Sequence, residues 1–197
     1  MCYRRESAPP KKYVASKFDK DTLIYIKTVS KRDPDHFQVG PDEVAYIICH
    51  DGTSQLEYEG GFYRLVSKPS RIIWVKKVPR ELKIGVPKEA TGVNIGFHAR
   101  VRLYPIDWDL IYRLFDVNKE EDTIKLTDIQ DIIRDLAREI FIKLSKEMDL
   151  SSQEFKKRFN EELNRALAST KLAGFGAVIS YLGLSTMCKL PEAFEEE

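Results

Sequence analysis

The sequence predicts an α+β fold, in which a run of strands is followed by helices and one returning strand. Three observations carry this prediction. The first half of the 197-residue chain contains short runs of alternating apolar and polar residues, which are typical of half-buried strands. Two later stretches have apolar residues at helical spacing, and residues 177–187 are again rich in Val, Leu and Tyr. Because strands and helices occupy separate runs, we do not expect a doubly wound parallel sheet.

The composition predicts a soluble, globular chain with an internal charge division. We expect residues 1–20 to be a flexible basic arm and residues 21–197 to form one domain, with a β-rich subdomain over 21–105 and a helical subdomain over 106–197. Residues 1–105 hold 19 Lys+Arg against 12 Asp+Glu, and residues 106–197 hold 13 against 19. Such a chain could associate head to tail, although two ordinary solvated surfaces are the simpler explanation.

The first half contains the predicted strands and their turns. Asp33-Pro34 and Asp51-Gly52 are turn signals, the second of them typical of a hairpin. The predicted strands are Leu23–Val29, Glu43–Cys49, Gln55–Glu59, Phe62–Val66, Ile72–Lys77, the short edge piece Glu81–Ile84, and residues 93–103.

The segment Gly92–Phe115 joins a strand to a helix. Its strand ends at Pro105, which has no N–H for a sheet ladder. Asp107 can then cap a helix whose apolar side begins at Leu110. We expect this segment to join the two subdomains. Asp107 is expected to cap the helix and to have no catalytic role.

The second half predicts two helices and the closing strand. Thr127–Glu147 has helical periodicity and a capping box of Thr127 with Gln130. The next helix is predicted to begin with Ser151 and Glu154, and its narrow apolar stripe indicates that it lies on a sheet or on one partner helix; the stripe comprises Phe155, Phe159, Leu163 and Leu167. The uncharged stretch Leu172–Cys188 is shorter than a membrane-spanning helix, and we predict a buried strand of about 177–187.

No pattern predicts a catalytic, cofactor-binding or metal-binding residue. The stretch Asp116–Asp128 resembles a calcium loop in its first ligands, but it has Glu121 where the loop needs Gly and Thr127 where it needs a bidentate carboxylate. We therefore expect an acidic surface loop. His36, His50 and His98 have no metal-ligand spacing, and we expect His98 to be solvated or hydrogen-bonded.

The three cysteines and the N-terminal residues indicate in which cellular compartment the protein is expected. Cys2, Cys49 and Cys188 are far apart and form no CxxC motif, so we expect reduced thiols, with Cys49 buried. The N-terminal residues lack the apolar segment of a signal peptide. These features predict a cytoplasmic protein.

Basic residues around Trp74 give the first alternative function, nucleic-acid binding. Basic side chains interleaved with aromatic rings can hold phosphates and stack bases, and the set here comprises Arg71, Lys76, Lys77, Arg80 and Lys83 with Trp74, Phe62 and Tyr63. Against it, the net charge is +1 and the pI is about 7.7. The same surface could contact anionic lipid headgroups. An unrecognised enzyme with a pocket at His98 is the second alternative.

Several short strings, in this order, resemble the SPFH (stomatin, prohibitin and flotillin) domain superfamily, also called PHB domains. The strings are Val39-Gly40-Pro41-Asp42-Glu43-Val44-Ala45, Gly60-Gly61-Phe62-Tyr63-Arg64-Leu65, Ile72-Ile73-Trp74-Val75 with Glu81-Leu82-Lys83, Gly96–Leu103 with Ile106-Asp107, and Phe175-Gly176-Ala177-Val178-Ile179 through Pro191-Glu192. The resemblance spans residues 39–192, and prokaryotic members that look like virion core proteins are the most similar.

This resemblance implies a scaffold without catalytic residues. SPFH domains oligomerise, associate with membranes and organise other proteins. We therefore expect a homo-oligomer that holds client proteins at an anionic membrane surface, with no cofactor and no small-molecule substrate. Members usually have an N-terminal membrane segment and a long C-terminal coiled coil, and neither pattern occurs in this sequence.

Overall fold

A computed structural model describes residues 3–57, 59–66, 68, 70–114 and 121–185. Its strands and helices confirm the predicted α+β class, with antiparallel sheets and a C-terminal strand. The strands are β1 Tyr3–Glu6, β2 Thr22–Val29, β3 His36–Val39, β4 Glu43–Ile48, β5 Ser54–Glu57, β6 Gly61–Leu65, β7 Ser70–Lys76, β8 Arg80–Val86, β9 Gly96–Pro105, β10 Glu121–Lys125 and β11 Phe175–Ser185. The helices are α1 Trp108–Leu114, α2 Leu126–Leu144 and α3 Gln153–Leu167.

The chain divides into two compact units, and the division differs from the predicted one. Unit 1 comprises residues 1–78 and 115–126, and unit 2 comprises residues 79–114 and 127–197. The predicted boundary between residues 105 and 106 is wrong, because β9 pairs with β11 over its whole length and so lies in the same unit as the helices. Residues 92–114 of the predicted joining segment Gly92–Phe115 therefore lie in unit 2, and the division falls at the end of that segment.

The division also changes the charge distribution. Unit 1 holds 16 Lys+Arg against 14 Asp+Glu, a net charge of +2, and unit 2 holds 16 against 17, a net charge of −1. The basic and acidic halves of the sequence therefore do not correspond to a basic and an acidic unit. Head-to-tail association through opposite unit charges loses its support.

Unit 1 contains two sheets over one core. The first has the order β10-β2-β7-β4-β5, and the second has the order β1-β6-β3. The centre of the core is aromatic, because Tyr63 stacks on Phe37 at 5.3 Å and Tyr3 meets both rings edge-on. Trp74 lies in the same core beside Tyr25.

The N-terminal residues are part of unit 1, which corrects the prediction of a separate flexible arm. Tyr3–Glu6 forms β1 and pairs with β6, and Val14 exchanges backbone hydrogen bonds with β3. The physical reason is burial, since Tyr3 and Val14 are 4% and 7% exposed in a segment that holds six Lys and Arg within residues 1–20. Two apolar side chains are too few to produce a recognisable period in the sequence.

A buried carboxylate holds this N-terminal segment to the strands. Glu43, at the start of β4, is 6% exposed and accepts hydrogen bonds from Ser16 Oγ at 2.8 Å and the Gly40 backbone N–H at 2.9 Å. Lys76 Nζ of β7 donates to Glu43 at 3.1 Å and to Asp42 at 2.9 Å, and it lies 4.9 Å above the Phe18 ring. This cluster compensates the burial of the Glu43 charge.

Unit 2 places its two long helices against the sheet β11-β9-β8. Alternate residues of β9 are buried on one face, namely Phe97, Ala99, Val101 and Leu103, as their spacing predicts. Phe97 stacks on Phe141 of α2 at 4.6 Å and meets Phe159 of α3 edge-on. The predicted stripe of α3 is confirmed, because all four of its residues are fully buried.

The helix caps confirm one prediction and correct two. The Asp107 carboxylate accepts a hydrogen bond from the Leu110 N–H at 2.9 Å, as predicted. The N-cap of α3 is Ser152 rather than Ser151, since its hydroxyl accepts from the Phe155 N–H. Gln130 forms no capping box, because its amide donates to the Lys83 carbonyl of β8 at 2.8 Å.

The remaining cysteine and membrane predictions have mixed outcomes. Cys49 is 5% exposed, as predicted, but it is disulfide-bonded, so the prediction of a reduced thiol is wrong for this residue. Cysteine spacing alone does not reveal pairing, and Cys2 and Cys188 lie outside the described residues.

Within the described ranges, no helix has both the length and the apolarity required to cross a membrane.

Substituting Glu43 tests the buried cluster. We expect Glu43→Ala to lower the free energy of unfolding by about 3 kcal/mol, because it leaves buried donors without their acceptor. Urea unfolding of the full chain measures this. Glu59→Ala is the matched control in the same unit, since Glu59 makes an exposed ion pair with Arg5 and its loss should cost at most about 1 kcal/mol. Equal losses for the two variants would contradict the role assigned to Glu43.

Substituting Asp107 tests the cap of α1. We expect Asp107→Ala to lower the free energy of unfolding by about 1 kcal/mol, the usual cost of a lost N-cap. Asp109→Ala is the control, because Asp109 is in the first turn of the same helix and its ion pair with Arg113 is exposed. A loss for Asp109→Ala as large as that for Asp107→Ala would argue against the cap.

Candidate interaction surfaces

The outer edge of β11 is covered at its start by two asparagines of α3. The Asn164 amide donates to the Ala177 carbonyl at 2.8 Å, and its oxygen accepts from the Ala177 N–H at 2.9 Å. Asn160 accepts from the Ile179 N–H at 2.7 Å. A side-chain amide thus occupies the position that a neighbouring strand would take. Helical cover of this kind protects a sheet edge from pairing with another chain.

β11 exposes three large apolar side chains, two of them in its later part. Val178, Tyr181 and Leu184 are 43%, 46% and 42% exposed. The pairing register with β9 shifts between Ile179 and Tyr181, which marks a β-bulge just beyond the residues that α3 holds. An eleven-residue edge strand with three exposed apolar side chains is a candidate surface for association.

His98 lies on β9 against this strand. The ring is 7% exposed, its Nε2 is 3.3 Å from Tyr181 Oη, and the two rings are 5.4 Å apart. A Cβ at Gly183 would come within 2.3 Å of Nε2, so only glycine permits this packing. Burial lowers the pKa of His98, which favours the neutral imidazole at pH 7. His98 is therefore hydrogen-bonded and buried, and it supports the exposed Tyr181 ring.

A basic face lies on the outer side of the sheet β1-β6-β3. Arg4 of β1 is directly opposite Arg64 of β6, and Arg64 is directly opposite His36 of β3. The alternate residues of these strands point into the core, which leaves these three on the outer side. We call Arg4, Arg64 and His36 the basic row. Like charges directly opposite one another on neighbouring strands are destabilising.

A pocket of about 490 Å³ opens beside the basic row. Among the described residues, four cationic side chains and one carboxylate line it, together with two apolar residues: Arg4, Lys31, Arg64, Lys68, Asp35, Leu65 and Val66. Lys68 Nζ lies 2.8 Å from the Asp35 carboxylate. This hydrogen bond and the charge of Lys68 lower the pKa of Asp35 below its usual value.

The surface proposed around Trp74 for nucleic-acid binding is corrected by the structure. Trp74 is fully buried and its indole N–H donates to the Gln38 carbonyl at 2.8 Å. Tyr63 is 1% exposed and donates to the Glu59 carbonyl. Neither of these two rings is available to stack on a base, whereas Phe62 of the predicted set is half-buried and meets the Tyr13 ring edge-on at 4.9 Å.

The described part of the calcium-like stretch is a strand followed by the start of α2. Residues 116–120 lie outside the described residues, and Glu121–Lys125 forms β10, which pairs with β2. Within the described ranges, no three His, Cys, Asp or Glu side chains are grouped as a metal site requires. His50 is exposed, and His36 Nε2 lies 4.0 Å from Glu6.

Sequence reasoning missed the asparagine pair, the Glu43 cluster and the basic row. Asn160 and Asn164 are four residues apart on a helix whose other polar residues are mostly charged, and this spacing next to the apolar stripe was the available signal. The basic row had no such signal, because it requires the pairing of β1, β6 and β3.

Comparison with known proteins found no matching protein-family model and no matching curated protein.

Substituting the asparagines tests the cover of β11. We expect Asn164→Ala to lower the free energy of unfolding by about 2 kcal/mol, because both backbone groups of Ala177 lose their partner. Asn160→Ala, which removes one such bond, should cost roughly half as much. Glu161→Ala, at an exposed position of the same helix, is the control for urea unfolding. The assignment fails if Asn164→Ala is no more destabilising than Glu161→Ala.

Proposed function

We propose that this chain is an SPFH-like scaffold module without chemistry of its own, which self-associates and organises client proteins at an anionic membrane surface. The observation that carries the proposal is β11, an edge strand of eleven residues with three exposed apolar side chains. Exposed apolar rows on strand edges mark surfaces that pair with other chains. The proposed occupant is β11 of a second copy, since an antiparallel pair of identical edges makes a closed two-fold contact.

The position of the bulge supports this proposal. The asparagines of α3 cover residues 177 and 179, while Tyr181 and Leu184 lie beyond their reach. The packing of His98 and Gly183 holds the Tyr181 ring in place before any partner arrives. A surface that is ordered in advance loses less conformational entropy on association.

A cytoplasmic location peripheral to the membrane belongs to the same proposal. The Cys49 disulfide is compatible with it in an organism of high growth temperature, where intracellular disulfides are frequent. The high content of charged residues, 32%, is typical of such organisms.

Self-association is tested by light scattering on the full chain over a range of concentrations. We expect the mass to rise above that of one chain as the concentration increases. Tyr181→Lys and Leu184→Lys should each raise the concentration at half-association by at least about tenfold, since each places a charge in an apolar contact. Ile106→Lys is the matched control, because Ile106 is 59% exposed in the same unit but outside β11.

The outcomes separate the parts of this proposal. A monomer at the highest concentration that also binds no anionic vesicle overturns the scaffold function. Equal effects of Leu184→Lys and Ile106→Lys leave self-association in place but remove β11 as its surface.

A further inference from the structure

The pocket beside the basic row has an excess of positive charge. Its lining carries four cations and one carboxylate, and that carboxylate is already paired with Lys68. Arg4 Nε has Glu6 at 3.5 Å. Among the residues that the structure describes, no ion pair involves Arg64 or Lys31. Arg64 and Lys31 therefore lie in the pocket without a direct ion pair among the described residues, and the Asp35 carboxylate is bonded to Lys68 while also acting on Arg64 at longer range.

The arrangement costs stability unless an anion binds there. Arg4 and Arg64 face each other on adjacent strands, and like charges in that position destabilise a sheet. The strand positions of Arg4 and Arg64 are nevertheless fixed opposite each other, because Tyr3, Tyr63 and Leu65, which alternate with them along the same strands, are buried in the core. A bound anion would remove the repulsion without any movement of the strands.

The lining also indicates what the anion is attached to. Guanidinium groups bind phosphate oxygens through paired N–H donors, and a phosphomonoester presents three such oxygens and up to two charges. At the rim, Val66 is 68% exposed, the largest exposure of any large apolar side chain in the described residues. An exposed apolar side chain beside a cationic pocket fits an organic body that carries a terminal phosphate.

We propose that the pocket lined by Arg4, Lys31, Arg64 and Lys68 binds the phosphomonoester group of an organic ligand, with Val66 contacting the apolar part of that ligand. The phosphate can come from a lipid headgroup or from a soluble metabolite. Only binding of a lipid headgroup rests on the proposed membrane function. Binding of a soluble phosphomonoester depends neither on that function nor on self-association.

The test measures binding of the full chain to four probes. These are inorganic phosphate, glycerol 3-phosphate, phosphatidylcholine vesicles containing phosphatidic acid, and the same vesicles containing phosphatidylserine. We expect glycerol 3-phosphate and phosphatidic acid vesicles to bind more tightly than inorganic phosphate and phosphatidylserine vesicles, respectively. We expect Arg64→Gln to weaken binding by roughly tenfold, as loss of a charge-assisted hydrogen bond does. Val66→Ser should weaken vesicle binding without changing the affinity for inorganic phosphate.

A matched variant and a second measurement distinguish loss of the pocket from a general effect of charge removal or a general loss of stability. Arg113→Gln removes the same charge from an exposed residue that does not line the pocket, and it should bind like the unaltered protein. Phosphate should raise the melting temperature of the unaltered protein but not that of Arg64→Gln, whose own melting temperature should be no lower, since the repulsion with Arg4 is gone.

Each outcome decides the proposal. Binding of both soluble and lipid phosphate that depends on Arg64 supports the pocket and the membrane function. Binding of soluble phosphate alone supports the pocket and counts against the membrane function. Equal loss in Arg64→Gln and Arg113→Gln, or no binding of any probe, overturns the pocket. Tighter binding of an oligonucleotide with the same dependence on Arg64 replaces the phosphomonoester with a phosphodiester and overturns the ligand assigned here.

Discussion

The burial of Glu43 is the constraint on which unit 1 depends. A carboxylate that is 6% exposed must be compensated, and its partners come from the N-terminal segment, the Gly40 turn and β7. A carboxylate this deeply buried would be strongly destabilising if its cationic partner were removed. The N-terminal residues are held to the sheet by this charge and by the burial of Tyr3 and Val14. They in turn supply β1, without which the basic row would not exist.

Unit 2 also has polar groups that need hydrogen-bond partners, namely the backbone groups at the edge of β11. Uncharged side chains supply these partners. Among the described residues the backbone of β11 pairs with one strand, β9, and Asn164 and Asn160 supply hydrogen bonds on the other side. An amide suits this task because one side chain can both donate and accept, as a strand backbone does. The cover reaches only as far as residue 179, and two of the three exposed apolar side chains, Tyr181 and Leu184, lie beyond it. The same strand is therefore protected at one end and available for association at the other.

The parts of the fold that depend on local periodicity could be predicted from the sequence. The Asp107 cap, the alternation along β9 and the stripe of α3 involve residues within four positions of one another. The unit boundary, the N-terminal strand and β10 could not be predicted, because each depends on pairing between residues far apart, such as Ile24 with Ile124. Trp74 was wrongly assigned to a surface, although the continuous apolar run around it is typical of a central strand buried on both faces.

Charged and apolar contacts respond differently to salt, and they lie in different units. The cationic pocket is in unit 1, and the exposed apolar side chains of β11 are in unit 2. Net charges of +2 and −1 are too small to drive association between whole units at physiological salt, where charges farther apart than about 8 Å are largely screened. The charge that matters is local, in a pocket with four cations and one carboxylate. Contacts through β11 would instead rely on apolar burial, which salt does not screen. The proposed self-association and the proposed anion binding would therefore respond independently to ionic conditions, and a scaffold of the kind proposed would stay assembled while its ligand exchanges.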